Sequence, residues 1–125
     1  MGHTTDENII SSWISLQTAE KESPTFEALF WAEIEMSRLA REDPGRCWKL
    51  LLAILQRDQS QQVIGSLSSG ALEELLAEHG EEFIDTVEKQ AQRDPTFAFL
   101  LGGVWQGDML DQIWTRVQNA ASKKW

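Results

Sequence analysis

The sequence predicts an all-α fold, and three observations carry that reading. No stretch alternates apolar and polar residues with period two for more than four positions, so no half-buried strand is expected. Apolar residues recur instead at helical spacing along most of the chain. Ser23–Pro24, Asp43–Pro44 and Asp94–Pro95 then supply helix starts, each a capping side chain followed by a proline suited to the first helical position.

Taken in order, residues 6–19 place Ile9, Ile10, Trp13 and Ile14 on one helix face. The segment from Pro24 to Glu42 offers Phe26, Leu29, Phe30, Ile34 and Leu39, and the next, from Pro44, offers Cys47, Leu50, Leu51, Ile54 and Leu55. A short helix over 60–67 carries Val63, Ile64 and Leu67. Another begins near Ser68 or Ser69, buries Leu72, Leu75 and Leu76, and stops at Gly80 as a left-handed cap. Residues 81–93 use Phe83, Ile84, Val87 and Ala91. Asp94–Pro95 opens a helix with Phe97, Leu100, Leu101, Val104 and Trp105. The last helix takes Asp108 as its cap and buries Leu110, Ile113, Trp114 and Val117, with Lys123 and Lys124 at its negative end. The sum is one compact domain of seven to eight short helices over residues 1–125, with 1–5 flexible.

The chain also resembles itself. FWAEIE at 30–35 matches FIDTVE at 83–88, AREDP at 40–44 matches AQRDP at 91–95, and LQRD at 55–58 matches WQGD at 105–108. The order is kept at a spacing of about 50 residues, which predicts two HEAT-like helical-hairpin repeats, 26–68 and 80–118. Within the second, Gly102–Gly103 interrupts an apolar helical run. No strand precedes the pair, and neither dinucleotide-binding nor Walker spacing is present, so a phosphate cradle is not expected. Close helix–helix approach is the expected reason for the glycines, with an end of the helix there as the alternative.

Net charge is −9, from 11 Lys and Arg against 20 Asp and Glu, which argues against binding nucleic acid. Seven of the acids, Glu73, Glu74, Glu78, Glu81, Glu82, Asp85 and Glu88, fall in residues 73–88 with no Lys or Arg among them. No apolar run approaches the ~20 residues of a membrane helix, and the N-terminus lacks the pattern of a secretory signal. The single cysteine fits a reducing compartment, and a cytoplasmic location is expected.

Catalytic constellations are missing. Cys47 sits on an apolar face and reads as structural, and His3 and His79 belong to no metal-binding motif. Glu74 and Glu78 have ligand-compatible spacing, but a solvated acidic face accounts for them, so no metal and no cofactor are expected. Trp31 and Trp48 lie beside the main apolar stripes. They are either exposed anchors for a partner or, the expected case, covered by a second helix layer.

The string GALEELL, HG, FIDTVE, AQRDPTF and GVW, which includes Gly70, Leu72–Leu76, His79–Gly80, Phe83–Asp85, Asp94–Pro95 and Gly103–Trp105, resembles a family of small bacterial helical proteins of unknown function. The likeness covers residues 26–118. It implies a helical single domain and brings no activity. Its polar members include Glu73, Glu74, His79 and Asp85.

The expected function is a non-enzymatic, acidic binding module of the inhibitor or immunity type that neutralises a basic protein such as a toxin. Its binding residues are expected to be Glu73, Glu74, Glu78, His79, Glu81, Glu82, Asp85 and Glu88. The alternatives are a self-associating helical assembly module and an acidic mimic of DNA. Glu78 has a particular claim, since a carboxylate in the last turn before a cap at Gly80 opposes the helix dipole.

Overall fold

Side-chain caps start most of the helices in the computed structural model, which describes residues 5–125. The placement of His3 and of residues 1–4 lies outside the described residues. Thr5, expected in a loose terminus, caps α1 (Asp6–Thr18) by accepting the Asn8 N–H. Ser23 caps α2 (Pro24–Leu29), which leads into α3 (Trp31–Glu42). Asp43 caps α4 (Pro44–Arg57), and Ser60 caps α5 (Gln61–Leu67). A π turn (Ser68–Leu72) joins α5 to α6 (Glu73–Arg93). Asp94 caps α7 (Pro95–Leu101) by accepting the amides of Thr96 and Phe97, and α8 (Asp111–Ala120) closes the order.

The described residues are all helical in their regular structure, with no strand, and form one compact domain. Phe30 keeps helical backbone angles between α2 and α3, and α5 runs through the π turn into α6, so the elements make six continuous segments. The boundary expected at 68–69 is therefore absent, and the one expected at 80–81 appears as a break within α6 at His79. Gly80 is not a left-handed cap; Gly107, at φ 49°, is the glycine with positive φ among the described residues. Instead α6 bends at His79, whose φ of −135° and ψ of 32° leave the helical region.

α6 is the spine. It packs against α3, α7 and α8, while α1 packs across α3, α4 and α5. Ile9, Trp13, Met36, Leu51, Ile54, Leu67, Leu72, Leu76, Val87 and Phe97 fill one continuous core. Trp48 lies half-buried, edge-on to Phe97 at 5.5 Å and tilted against Phe83 at 6.2 Å. Trp31 is likewise half-buried against the core, so neither ring is fully covered or fully exposed. Arg46–Asp6 and Arg57–Glu7 tie α4 to α1 with ion pairs of 2.8 Å each. The two Asp–Pro joints share their capping, yet α4 has 14 residues and α7 has 7, so the two hairpins are unequal.

Several apolar residues expected inside are outside. Ile34 is 60 % exposed, Leu110 55 % and Trp105 70 %, and Phe30 is also exposed. Trp105 leaves the core because α7 ends at Leu101 and the chain turns away through Gly102–Gly103. Leu110 stays out because α8 starts at Asp111; Asp108 caps nothing, and Leu110 occupies the cap position without a side-chain bond. No helix among the described residues is long and apolar enough to cross a membrane.

Leu51 is fully buried. Leu51→Ala is expected to lower unfolding free energy by roughly 2–5 kcal/mol, read from denaturant midpoints at unchanged slope.

Candidate functional site

The acidic segment 73–88 lies along α6. Its polar side chains divide into three groups according to what lies opposite them. At the N-terminal end of α6, Glu73 accepts the backbone N–H of Trp105 at 2.9 Å. Glu74 accepts from Ser37 at 2.7 Å and forms an ion pair with Arg41 at 2.9 Å. Both therefore hold neighbouring elements against α6. Toward the C-terminal end, Arg116 of α8 clamps Asp85 at 2.6 Å and Glu88 at 2.5 Å. Hydrogen bonds from Arg116 hold the Glu88 carboxyl below the usual carboxylate range, opposed by partial burial and by Asp85.

Between these pairs lie Glu78, Glu81 and Glu82, all exposed. None of the three is paired with a Lys or Arg among the described residues. Glu78 directly precedes the break at His79, so it stands in the last turn of the first half of α6, where its charge opposes the dipole. His79 is committed elsewhere. Its Nε2 lies 2.8 Å from the Arg41 carbonyl, and since a carbonyl only accepts, that nitrogen carries the proton. Its Nδ1 faces Glu82 at 3.5 Å. The last carbonyls of a helix lack intrahelical donors, so His79 completes the end of α3 while bending α6.

The bend opens a trough on the outer side of α6. One cleft of about 220 Å³ is lined by Glu78, Glu81 and Glu82 together with Leu76, Leu110 and Ile113. A second, of about 310 Å³, shares Ala77 and Glu78 with it and adds Glu73, Glu74 and Asp108. Ser69 and Gly70 of the π turn line its far end; such turns recur at functional positions. Neither cleft has a Lys or Arg in its lining. The trough gains Asp108 and Leu110 from the segment between α7 and α8, which the sequence assigns to a helix. The signal available in the sequence was the density of glycines at 102, 103 and 107, which breaks a helix before Trp105 can join its stripe.

The nucleophile candidate is closed off. Cys47 is fully buried, and burial first, then the charges of Glu74 and Asp43, push its thiol up to about 12. It is therefore a neutral core thiol at physiological pH. Among the described residues no three His, Cys, Asp or Glu side chains are grouped to hold a metal ion.

Two outcomes follow from these pairings. His79→Ala is expected to lose about 1–2 kcal/mol of stability by orphaning the Arg41 carbonyl, with partial recovery in His79→Gln, read by thermal unfolding. The Glu88 carboxyl titrates lower when folded than unfolded, so its contribution is present above the ordinary value of 4.5 and is lost as pH falls through the depressed one. Arg116→Gln is accordingly expected to flatten the loss of stability below pH 4.5, measured by urea midpoints across acid pH.

No curated protein and no solved structure matches the chain. A family of unknown function, DUF6869, matches residues 19–125. The match begins earlier than the likeness at 26–118 and extends past it to include the C-terminal residues after α8. With all but the first helix inside the match, the chain belongs to the family of unknown function DUF6869.

Proposed function

We propose that this protein is a non-enzymatic binding module whose trough receives a basic protein, in the manner of an inhibitor or immunity protein that neutralises a toxin. One observation carries the reading: Glu78, Glu81, Glu82 and Asp108 have no Lys or Arg partner among the described residues and line clefts that also hold Leu76, Leu110 and Ile113. Leu110 of the first cleft is exposed, and Trp105 is exposed in the same segment between α7 and α8. Carboxylates steer and orient a cationic surface, while an exposed aromatic supplies the desolvated anchor that binding hot spots favour. In this reading Glu78, Glu81, Glu82 and Asp108 meet the partner, while Glu73, Glu74, His79, Asp85 and Glu88 hold the elements around them. The lone buried cysteine supports a cytoplasmic setting. The repeated order of helix, Asp–Pro joint and helix supports descent from a duplicated hairpin of HEAT-like character.

The test is capture of partners from native lysate at low and high salt, with wild type compared against the double substitution Glu78→Gln and Glu82→Gln. The variant is expected to be as stable as wild type or more so. Its association with the captured basic protein should slow about tenfold at low salt and lose most of its salt dependence. An unchanged low-salt association rate, or recovery of no basic protein, overturns the proposal. Displacement of the partner by duplex DNA distinguishes phosphate mimicry from ordinary inhibition.

A further inference from the structure

Residues Ser122–Trp125 run as an extended strap across the C-terminal end of α7. The Ser122 N–H donates to the Ala98 carbonyl at 3.1 Å, and the Trp125 N–H to the Gly102 carbonyl at 3.0 Å. The indole Nε1–H donates to the Phe99 carbonyl at 2.6 Å. The ring itself stacks on Phe99, with centroids 5.3 Å apart and planes 13° from parallel. These carbonyls belong to the last turn and cap of α7, where a helix runs short of its own donors.

The glycines are what make room for the strap. Gly102 has φ −65° and ψ −16°, angles that any residue adopts, and alanine there would favour the helix by about 1 kcal/mol. A Cβ at Gly102, however, would lie 1.7 Å from the Lys123 carbonyl oxygen and 2.8 Å from the Trp125 ring. At Gly103 it would lie 2.5 Å from the same ring. All three of the nearest atoms at Gly102 belong to the strap. The pair therefore answers to the segment laid over it and not to its own backbone.

We propose that the groove over Gly102–Gly103 is a binding site for an extended, tryptophan-bearing segment, and that it exchanges its own strap for that of a second copy of this chain. The sequence of the strap is the one whose fit is shown, so a second copy carries a complementary ligand. The connection to α8 is Ala121, where the backbone turns extended at φ −69° and ψ 143° just past the last residue of the helix. Closure rests on three hydrogen bonds, the Lys124 ammonium over the Trp114 ring at 5.6 Å and a Trp125 ring that stays 45 % exposed. Every bond broken in one copy is remade in the other, which is why exchange of an identical element costs little. The interface is small, so the association is weak and transient. This site is separate from the acidic trough and does not depend on the function proposed for it.

Two full-length variants separate donor from acceptor. Trp125→Ala removes the indole and leaves the groove; Gly102→Ala blocks the groove and leaves the strap. Each alone is expected to sediment as a monomer with circular dichroism matching wild type. Mixed in equal amounts at upper micromolar concentration, they are expected to form a species of twice the mass. The indole N–H resonance of Trp125 in labelled Gly102→Ala should then shift toward its wild-type position. A mixture of folded variants that stays monomeric overturns the proposal, as does a doubling of mass without that shift. If Gly102→Ala does not fold, Gly103→Ala, which also places a Cβ against the ring, takes its part as the blocked groove.

Discussion

The hydrogen bond from His79 to the Arg41 carbonyl joins the two halves of the molecule at one point. It terminates α3 and bends α6 in a single contact. The next residue, Gly80, brings α8 in at the same level: a Cβ there would sit 3.1 Å from Ile113. Thus His79 faces α3, Gly80 faces α8, and α6 passes between them. A straight α6 would present its second half along an unbroken line from its first. The break in backbone angles re-aims that half, and the first cleft lies at the bend, lined by residues 76–82 of α6 with Leu110 and Ile113.

Charge follows from the same packing. A run of seven acids in sixteen residues suggests one strongly negative surface, yet the surrounding helices bring arginines to only some of them. Arg41 comes from the end of α3 and Arg116 from the middle of α8, so the acids at the two ends of the run are paired and those at the bend are not. Ion pairs this exposed stabilise little, about 0–1 kcal/mol each. Their larger consequence is selection, because they decide which carboxylates remain available to a partner.

The segment after α7 works in the opposite sense. Gly102 and Gly103 give up helix propensity and receive the strap, while the turn they begin carries Trp105 into solvent and Asp108 and Leu110 to the trough. Close approach does occur at the glycines, but the approaching element is an extended strap and not a helix. Both features, strap seat and trough wall, depend on α7 stopping at Leu101.

The sequence by itself determined the class of fold, because capping and periodicity are local. Ser23, Asp43, Ser60 and Asp94 cap the helices they precede; the stripe of α4 is buried, and those of α1 and α6 are buried apart from the half-buried Ile14, Phe83 and Ala91. It also isolated the acidic run and the His79–Gly80 pair. Only the tertiary structure decided that His79 bends a helix instead of preceding a cap, since its partner is a carbonyl 38 residues away. Only packing decided which acids are paired, because Arg41 and Arg116 lie 33 and 31 residues from the carboxylates they meet. The same holds for Gly102, whose ordinary backbone angles conceal its purpose until Lys123 and Trp125 are in place above it. Local signals report on the turn that contains them, whereas a residue chosen for something distant shows its reason only when the distant element has folded against it.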